Sequence, residues 1–205
     1  MKIVAIKQGK RDKTKLVISL DTGGYVSANF DDAYKYKVGD EIDEETAEAL
    51  NKAYTKQRAK KSAAATLAHH SMSKGALEKK LRDKGFSEED SSSTADWFEE
   101  KGFVDDRAFA LECAKHYKRN GCGELRIKEE LKRRNIDREL IEEILSEFES
   151  YEEEICALIS KKVRGKAIDA DMKRKLVSYL GGRGYRYDEI RTALGKMQFN
   201  TEDMD

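Results

Sequence analysis

One pattern recurs three times along this 205-residue chain, and it limits the folds open to it. The clearest copy runs from Gly121 to Phe148. Ile127 and Leu131 lie four residues apart, on one face of a helix. Asn135 follows where a helix would end in the left-handed conformation, which Asn and Gly tolerate best. With Asn135 as the first residue past the cap, Leu131 and Ile136 are the pair that touches in a Schellman ending. Asp137 is a good cap for the next helix, whose apolar side is Ile141, Leu145 and Phe148. About fifty residues earlier the same text reads Leu77, Leu81, Gly85, Phe86, Ala95 and Phe98. The later copy reads Leu176, Leu180, Gly184, Tyr185, Ile190, Leu194 and Met197. One column departs, because Ile141 and Ile190 align with Ser91. Spacing and corner chemistry agree together, which identifies an internal repeat. Its period exceeds the roughly 34 residues of a tetratricopeptide unit, whose Trp, Gly and Pro signature is missing.

Charged residues make up 39% of the chain, as do apolar ones. That balance suits long helices with wide solvated faces better than a deep-cored enzyme. The chain has no proline, which argues for continuous helix and against a linker-rich disordered chain. Net charge is zero, so no global field commits the chain to nucleic acid. The distribution is uneven: residues 137–154 hold nine acids and one base, and residues 155–196 hold eleven bases and four acids. Cys113, Cys122 and Cys156 are odd in number and form no CxxC. With no signal peptide or transmembrane run, they point to a reducing, cytoplasmic setting.

Residues 1–42 read differently from the rest. Ile3 to Ile6, Leu16 to Leu20 and Tyr25 to Phe30 are β-rich runs, with Asp21-Thr22-Gly23-Gly24 as a hairpin turn. Asp31 to Lys37 fits a short helix. Such a sheet element needs a helix to pack on. Tyr25, Tyr34, Tyr36 and Phe30 suit a single-strand stacking platform, but the favoured reading places them on the hydrophobic side of the sheet. Residues 43–61 form a connecting helix from Asp43, either one long helix or two broken near Ser62. The fold class is mainly α: three tandem three-helix, helix-turn-helix-like repeats in an elongated array, at 62–101, 103–150 and 151–197, preceded by the β-rich element and followed by an acidic tail, 198–205. Ser73 and Ser87 are helix caps, and Ser87 to Asp90 outlines a capping box. Asp105 and Asp106 read as caps in preference to a metal or catalytic pair, with Val104 and Phe109 as a hydrophobic staple.

The string Phe103-Val104-Asp105-Asp106-Arg107-Ala108-Phe109-Ala110, then Gly121, then Ile127, Leu131 and the Asn135-Ile136 corner, resembles the bacterial RecX family of regulatory proteins. The resemblance spans residues 62–197, and the β-rich start reads as a lineage-specific addition. It implies a non-catalytic modulator of the RecA recombinase. Such a protein would lie in the groove of the RecA filament on single-stranded DNA and reduce ATP hydrolysis and strand exchange. A place in DNA repair, homologous recombination and the SOS response follows from the same resemblance.

Two other classes stay open. Helices meeting at a Gly or Asn corner are similar to a helix-turn-helix, and a phosphate-binding patch would draw on cations of the repeats. The candidates are Lys79 and Lys80 in the first repeat, and Arg126, Lys128, Lys132, Arg133 and Arg134 in the second. The third supplies Lys161, Lys162, Arg164, Lys173, Arg174, Lys175, Arg183, Arg186 and Arg191, with Lys166 nearby. The alternative for any charge run is a solvated face. Base reading is disfavoured because the middle repeat's third helix opens Arg138-Glu139-Leu140-Ile141-Glu142-Glu143. The second class is a protein-interaction scaffold. An enzyme is the least supported class. His69 and His70 are adjacent and face apart, and Cys113, His116 and Cys122 match no closed zinc set. Gly181-Gly182-Arg183-Gly184 lacks the preceding strand and the Lys-Ser/Thr of a phosphate loop. No cofactor, metal, membrane or small-molecule substrate is expected. The expected partners are the RecA filament and, weakly, single- or double-stranded DNA.

Overall fold

The computed structural model describes residues 1–10 and 12–202. Three strands open the chain: β1 (Ile3–Gln8), β2 (Lys15–Leu20) and β3 (Tyr25–Asn29). The helices described are α1 (Phe30–Ala33), α2 (Glu44–Leu67), α3 (Lys74–Asp83), α4 (Glu88–Glu100), α5 (Asp106–Arg119), α6 (Glu124–Arg133), α7 (Arg138–Ser146), α8 (Glu152–Val163), α9 (Ala170–Gly182) and α10 (Tyr187–Glu202). Residues 203–205 of the expected acidic tail lie outside the described residues. The chain divides into two compact units. The first holds 1–70 and 77–101; the second holds 71–76 and everything from Gly102 on.

In the first unit the strands form an antiparallel sheet in the order β1-β2-β3. Ile18 faces Ile6 on one side and Val26 on the other. Alternation puts Leu16, Ile18, Leu20, Val26 and Ala28 on one face, where they pack with Ala33, Ile42, Ala47 and Leu50. Gly23 turns the second hairpin at φ +83°, as the Asp-Thr-Gly-Gly turn predicts. The aromatics depart from the sequence-based expectation. Tyr25, Phe30 and Tyr34 are exposed by 74, 51 and 69%, and Tyr36 alone packs toward the core. Aliphatic side chains already fill the inner face, so the bulkier rings have no room there. The helix α2 is unbroken at Ser62, and Asp43 caps it by accepting from the Thr46 amide at 2.8 Å. Its Ala59 and Ala63 are fully buried. Lys84 donates to both Ser62 and Thr66. The sole tryptophan, Trp97, has the Lys60 ammonium 3.9 Å from its ring centroid.

Ser91 sits in a column that is isoleucine in the other two repeats, and it is fully buried. Its hydroxyl donates to the Ser87 carbonyl at 2.7 Å, so the helix satisfies the polar group itself. Ser87 caps α4 by accepting from the Asp90 amide at 3.1 Å. Asp90 meets the Ser87 hydroxyl instead of reaching back to a backbone amide, so only half of a capping box forms.

The second unit holds α5 to α10 around one core, with Ile127, Leu131, Ile141, Ile144, Ile155, Ile159, Leu176 and Leu180 fully buried. The three corners share one geometry. Gly85, Asn135 and Gly184 have φ of +85, +54 and +88°. Their amides donate to Arg82, Lys132 and Gly181 at 2.8 to 2.9 Å. The next amides, of Phe86, Ile136 and Tyr185, donate to Leu81, Leu131 and Leu180 at 3.2 to 3.3 Å. This bond pair defines the Schellman ending, so the corner chemistry read from sequence produces the expected turn.

The start of a second helix also docks on a later corner. At Gly123, just before α6, the amide donates to the Arg183 carbonyl at 2.9 Å, and the Leu125 amide donates to Gly184 at 3.0 Å. A Cβ on Gly123 would collide with the Gly184 carbonyl and the Tyr185 amide. At the start of α3, within the same unit, the Ser73 hydroxyl donates to the Arg134 carbonyl. A Cβ on Gly75 would lie 2.7 Å from the Asn135 carbonyl oxygen. Small residues at these positions let backbone approach backbone.

Candidate nucleic-acid and partner interface

The Asp105-Asp106 pair serves two helices. Asp105 caps its own helix, accepting from the Ala108 amide at 2.8 Å. Asp106 accepts from the Lys74 amide at 2.6 Å and so caps α3, thirty-two residues earlier. Arg107 beside them donates to Glu143 on α7 at 3.2 Å and to Glu147, the C-cap of α7, at 2.6 Å. The string that carried the family resemblance is therefore a fastener between elements. Among the described residues no three His, Cys, Asp or Glu side chains are grouped to hold a metal ion.

The predicted cations of α6 are largely neutralised. Glu130 is buried, and it takes Arg126 at 2.9 Å, Arg134 at 3.1 Å and Arg133 at 3.2 Å. The hydrogen bond from Arg134, together with the charges of Arg126 and Arg133, holds the Glu130 carboxyl below the usual range even though burial opposes it. Arg134 also donates to the Tyr117 hydroxyl at 2.8 Å. Lys128 pairs with Glu142 on α7. Lys132 is exposed and makes no ion pair among the described residues. Summing cations along the sequence overlooks Glu130, although its i+3 and i±4 spacing to the arginines is visible there.

Repeat three is different. Lys161, Arg164, Lys166 and Lys173 are exposed and make no ion pair among the described residues. Lys162 and Arg183 both lean on Tyr179, at 4.9 and 5.2 Å from its ring centroid. Arg183 also donates to the carbonyls of Asn120 and Gly121 at 3.0 Å each, which fixes it as a joint residue. Arg174 and Lys175 reach Asp171 at 3.4 and 2.6 Å, and Arg186 reaches Glu124 at 2.5 Å. Arg191 is exposed beside Tyr187 on a shallow groove along α10. The α8–α9 connection thus gathers Lys161, Lys162, Arg164, Lys166 and Lys173. Sequence reasoning misses the Tyr179 seat, because nothing in the local sequence ties Lys162 to Tyr179.

In the first unit Lys79 and Lys80 are exposed on α3. The acidic stretch is equally localised. An open depression of about 580 Å³ between α7 and α8 is lined by Glu147, Glu149, Glu152 and Glu153, with Lys118 and Glu154 paired at 2.5 Å. It repels phosphate. The cysteines Cys113, Cys122 and Cys156 are unpaired and half-buried. Burial pushes the thiols of Cys113 and Cys156 up, so neither is a poised nucleophile. Among the described residues no helix is long and apolar enough to cross a membrane.

Comparison with known proteins adds sequence relatives to this geometry. Family models described as the second and third three-helix domains of RecX match residues 105–145 and 149–194. A protein named Regulatory protein RecX from Pelodictyon phaeoclathratiforme is 33% identical over 128 residues, covering 60% of this chain and 79% of that protein. Its namesake from Clostridioides difficile is 28% identical over 205 residues and covers 95% of each chain. A crystal structure of regulatory protein RecX superposes with a TM-score of 0.68 at 21% identity, over 95% of this chain and 98% of that one. RecX from Lactobacillus salivarius gives 0.67 at 20% identity, over 72% of this chain and 99% of that one. These two structures share the fold.

Proposed function

Since the chain belongs to the RecX family of regulatory proteins, we propose that it regulates the RecA filament on single-stranded DNA, lowering its ATP hydrolysis and strand exchange without catalysing a reaction itself. The observation that carries this reading is the uneven fate of the cations. Those of α6 and its cap are consumed by Glu130 and Glu142, Lys132 apart, while Lys161, Lys162, Arg164, Lys166 and Lys173 around the α8–α9 connection face solvent without a carboxylate. A polyanionic filament would meet the protein there, through phosphates or through acidic side chains of RecA subunits. Helical repeats offer broad contact surface instead of a pocket, which suits a partner that is itself a repeating polymer.

The test is RecA's ATP hydrolysis on single-stranded DNA, titrated with the full chain, beside a DNA-binding control at the same salt. Inhibition at amounts too low to coat the DNA is the expected result. Reversing Lys161, Arg164 and Lys173 to Glu should weaken inhibition. Reversing Arg174 and Lys175, which are already paired with Asp171, should matter less. Tight salt-sensitive DNA binding with unchanged ATP hydrolysis would replace this reading with direct nucleic-acid binding.

A further inference from the structure

We propose that the outer face of α10 binds the same face of a second copy of this chain, with the two helices antiparallel about a twofold axis between Arg191 and Thr192. Ile190, Ala193 and Leu194 turn the inner face of α10 into the core. The outer face carries Tyr187, Asp188, Arg191, Thr192, Gly195 and Lys196, which line an open groove of about 510 Å³. Tyr187, Arg191 and Gly195 form one row at four-residue spacing, and Asp188, Thr192 and Lys196 form the adjacent one, so all six share one side of the helix. Tyr187 is 68% exposed at one end of the groove. At the other end a Cβ on Gly195 would meet nothing within 4 Å, so the chain's own packing does not call for a glycine there. Glycine weakens a helix relative to alanine, and its use is to let another surface come close.

The charges of the groove identify its occupant. Lys196 donates to both carboxylate oxygens of Glu152 on α8, at 2.7 and 2.8 Å. Nearby, Arg186 pairs with Glu124, and Glu189 accepts from the Arg186 amide at 2.8 Å. Asp188 and Arg191 are exposed and make no ion pair among the described residues, although they lie three apart on the helix. The groove therefore keeps one uncommitted charge of each sign. A polyanion gains nothing net from it, whereas the same groove turned end for end is its complement. About the proposed axis, Arg191 lies opposite Thr192 of the second copy, with that copy's Asp188 within reach of the guanidinium. The ion pair forms twice, and each Arg191 turns away from the other toward an aspartate. Tyr187 and Asp188 fall opposite Lys196 and Gly195, so the ring and the carboxylate enter the opening that glycine leaves. An isologous contact of this kind closes at two copies. The seam from 187 to 196 spans about 14 Å of helix, which makes the contact small and the dimer weak and reversible.

The experiment is sedimentation equilibrium of the full chain over a concentration series, with RecA and DNA absent. The apparent mass should rise toward twice that of the chain and no further. Asp188→Arg puts a cation at both positions, and Arg191→Asp puts an acid at both. Each should weaken dimerisation about tenfold or more, because like charges then face each other across the seam. An equal mixture of these two variants should dimerise again, since each supplies the charge that the other's groove lacks. The doubly reversed chain, Asp188→Arg with Arg191→Asp, should dimerise as the parent does. Gly195→Leu should fill the opening and leave a monomer whose circular dichroism and melting temperature are at least the parent's. Mixing is the decisive measurement, because a variant that had lost its fold could not be restored by another. A parent that stays monomeric throughout would overturn the proposal. So would single variants that dimerise like the parent, or a mixture that gains nothing over its components. Because RecA and DNA are absent, failure of the filament reading does not decide the outcome.

Discussion

Gly85 and Gly184 share one backbone conformation in two different surroundings, which allows a controlled comparison. Both carry φ near +85°, where an alanine is strained by about 1–2 kcal/mol. A Cβ on Gly85 would meet nothing within 4 Å. A Cβ on Gly184 would run into the amide nitrogen, Cα and Cβ of Arg126, and that backbone cannot swing aside. To relieve the clash the joint must open, loosening the Leu125-to-Gly184 and Gly123-to-Arg183 hydrogen bonds. Those are worth about 1 kcal/mol each, and the overpacking adds roughly 1–3 kcal/mol. Gly85→Ala should therefore cost about 1–2 kcal/mol and Gly184→Ala about 5 kcal/mol, or a few degrees against about 15 °C in melting temperature for a chain of this size. Far-UV circular dichroism follows both units. Emission from Trp97 follows only the first, since the chain has one tryptophan and it lies there. Gly85→Ala should move the Trp97 transition, and Gly184→Ala the part of the dichroism that Trp97 does not see. If the two substitutions cost the same, the close approach to Arg126 contributes nothing and the account of the joint is wrong.

Asp105→Ala and Asp106→Ala should each cost about 1 kcal/mol, the usual worth of a cap, but in different places. Hydrogen exchange should quicken at the Ala108 amide in the first and at the Lys74 amide in the second, and loss of protection at Ala108 alone in both would refute the division of roles. Glu130 is held below its ordinary pKa in the folded chain, so its contribution is present above the unfolded carboxyl range and is lost as pH falls through the depressed folded value. Glu130→Gln should thus lower stability at neutral pH and flatten the acid limb of stability against pH below about 4.5, measured by urea midpoints, whereas an unchanged acid limb would show that the arginines do not depend on it. The Thr94 hydroxyl oxygen is buried and has no hydrogen-bond partner among the described residues, so Thr94→Val should leave stability level or raise it by about 1 kcal/mol in thermal melts, and a clear loss would reveal an ordered water serving that oxygen.

The parts legible in the sequence are those set by neighbours in the chain. Gly85, Asn135 and Gly184 reveal their corners because a left-handed residue followed by an apolar one is a local demand on chemistry. Caps at Asp43, Ser87, Asp105 and Asp137 are equally local. What stays hidden depends on residues far apart. Asp106 reads as a second cap for its own helix, and only the fold brings the Lys74 amide to it. Hydrophobicity alone turns the aromatics of the first forty residues inward, but the inner face belongs to shorter aliphatic side chains. The candidate interface is half legible. A set of cations is right as chemistry, yet which of them are neutralised across helices, as Lys128 is by Glu142 and Arg186 by Glu124, requires three dimensions.

The joint also sets the third repeat apart from the first two. By the repeat spacing, Ser73 and Gly123 correspond to Met172, and the starts of α3 and α6 correspond to Lys173. The helix α9 begins three residues sooner, at Ala170 with Asp169 as its cap, so nearly one more turn of helix stands at the position where α3 and α6 each receive a corner. Met172 leans on the core there, where its counterparts are a serine and a glycine. The start of α9 is thus unlike those of α3 and α6: for it to receive a corner as they do, that turn would have to be trimmed and Met172 replaced by a smaller residue.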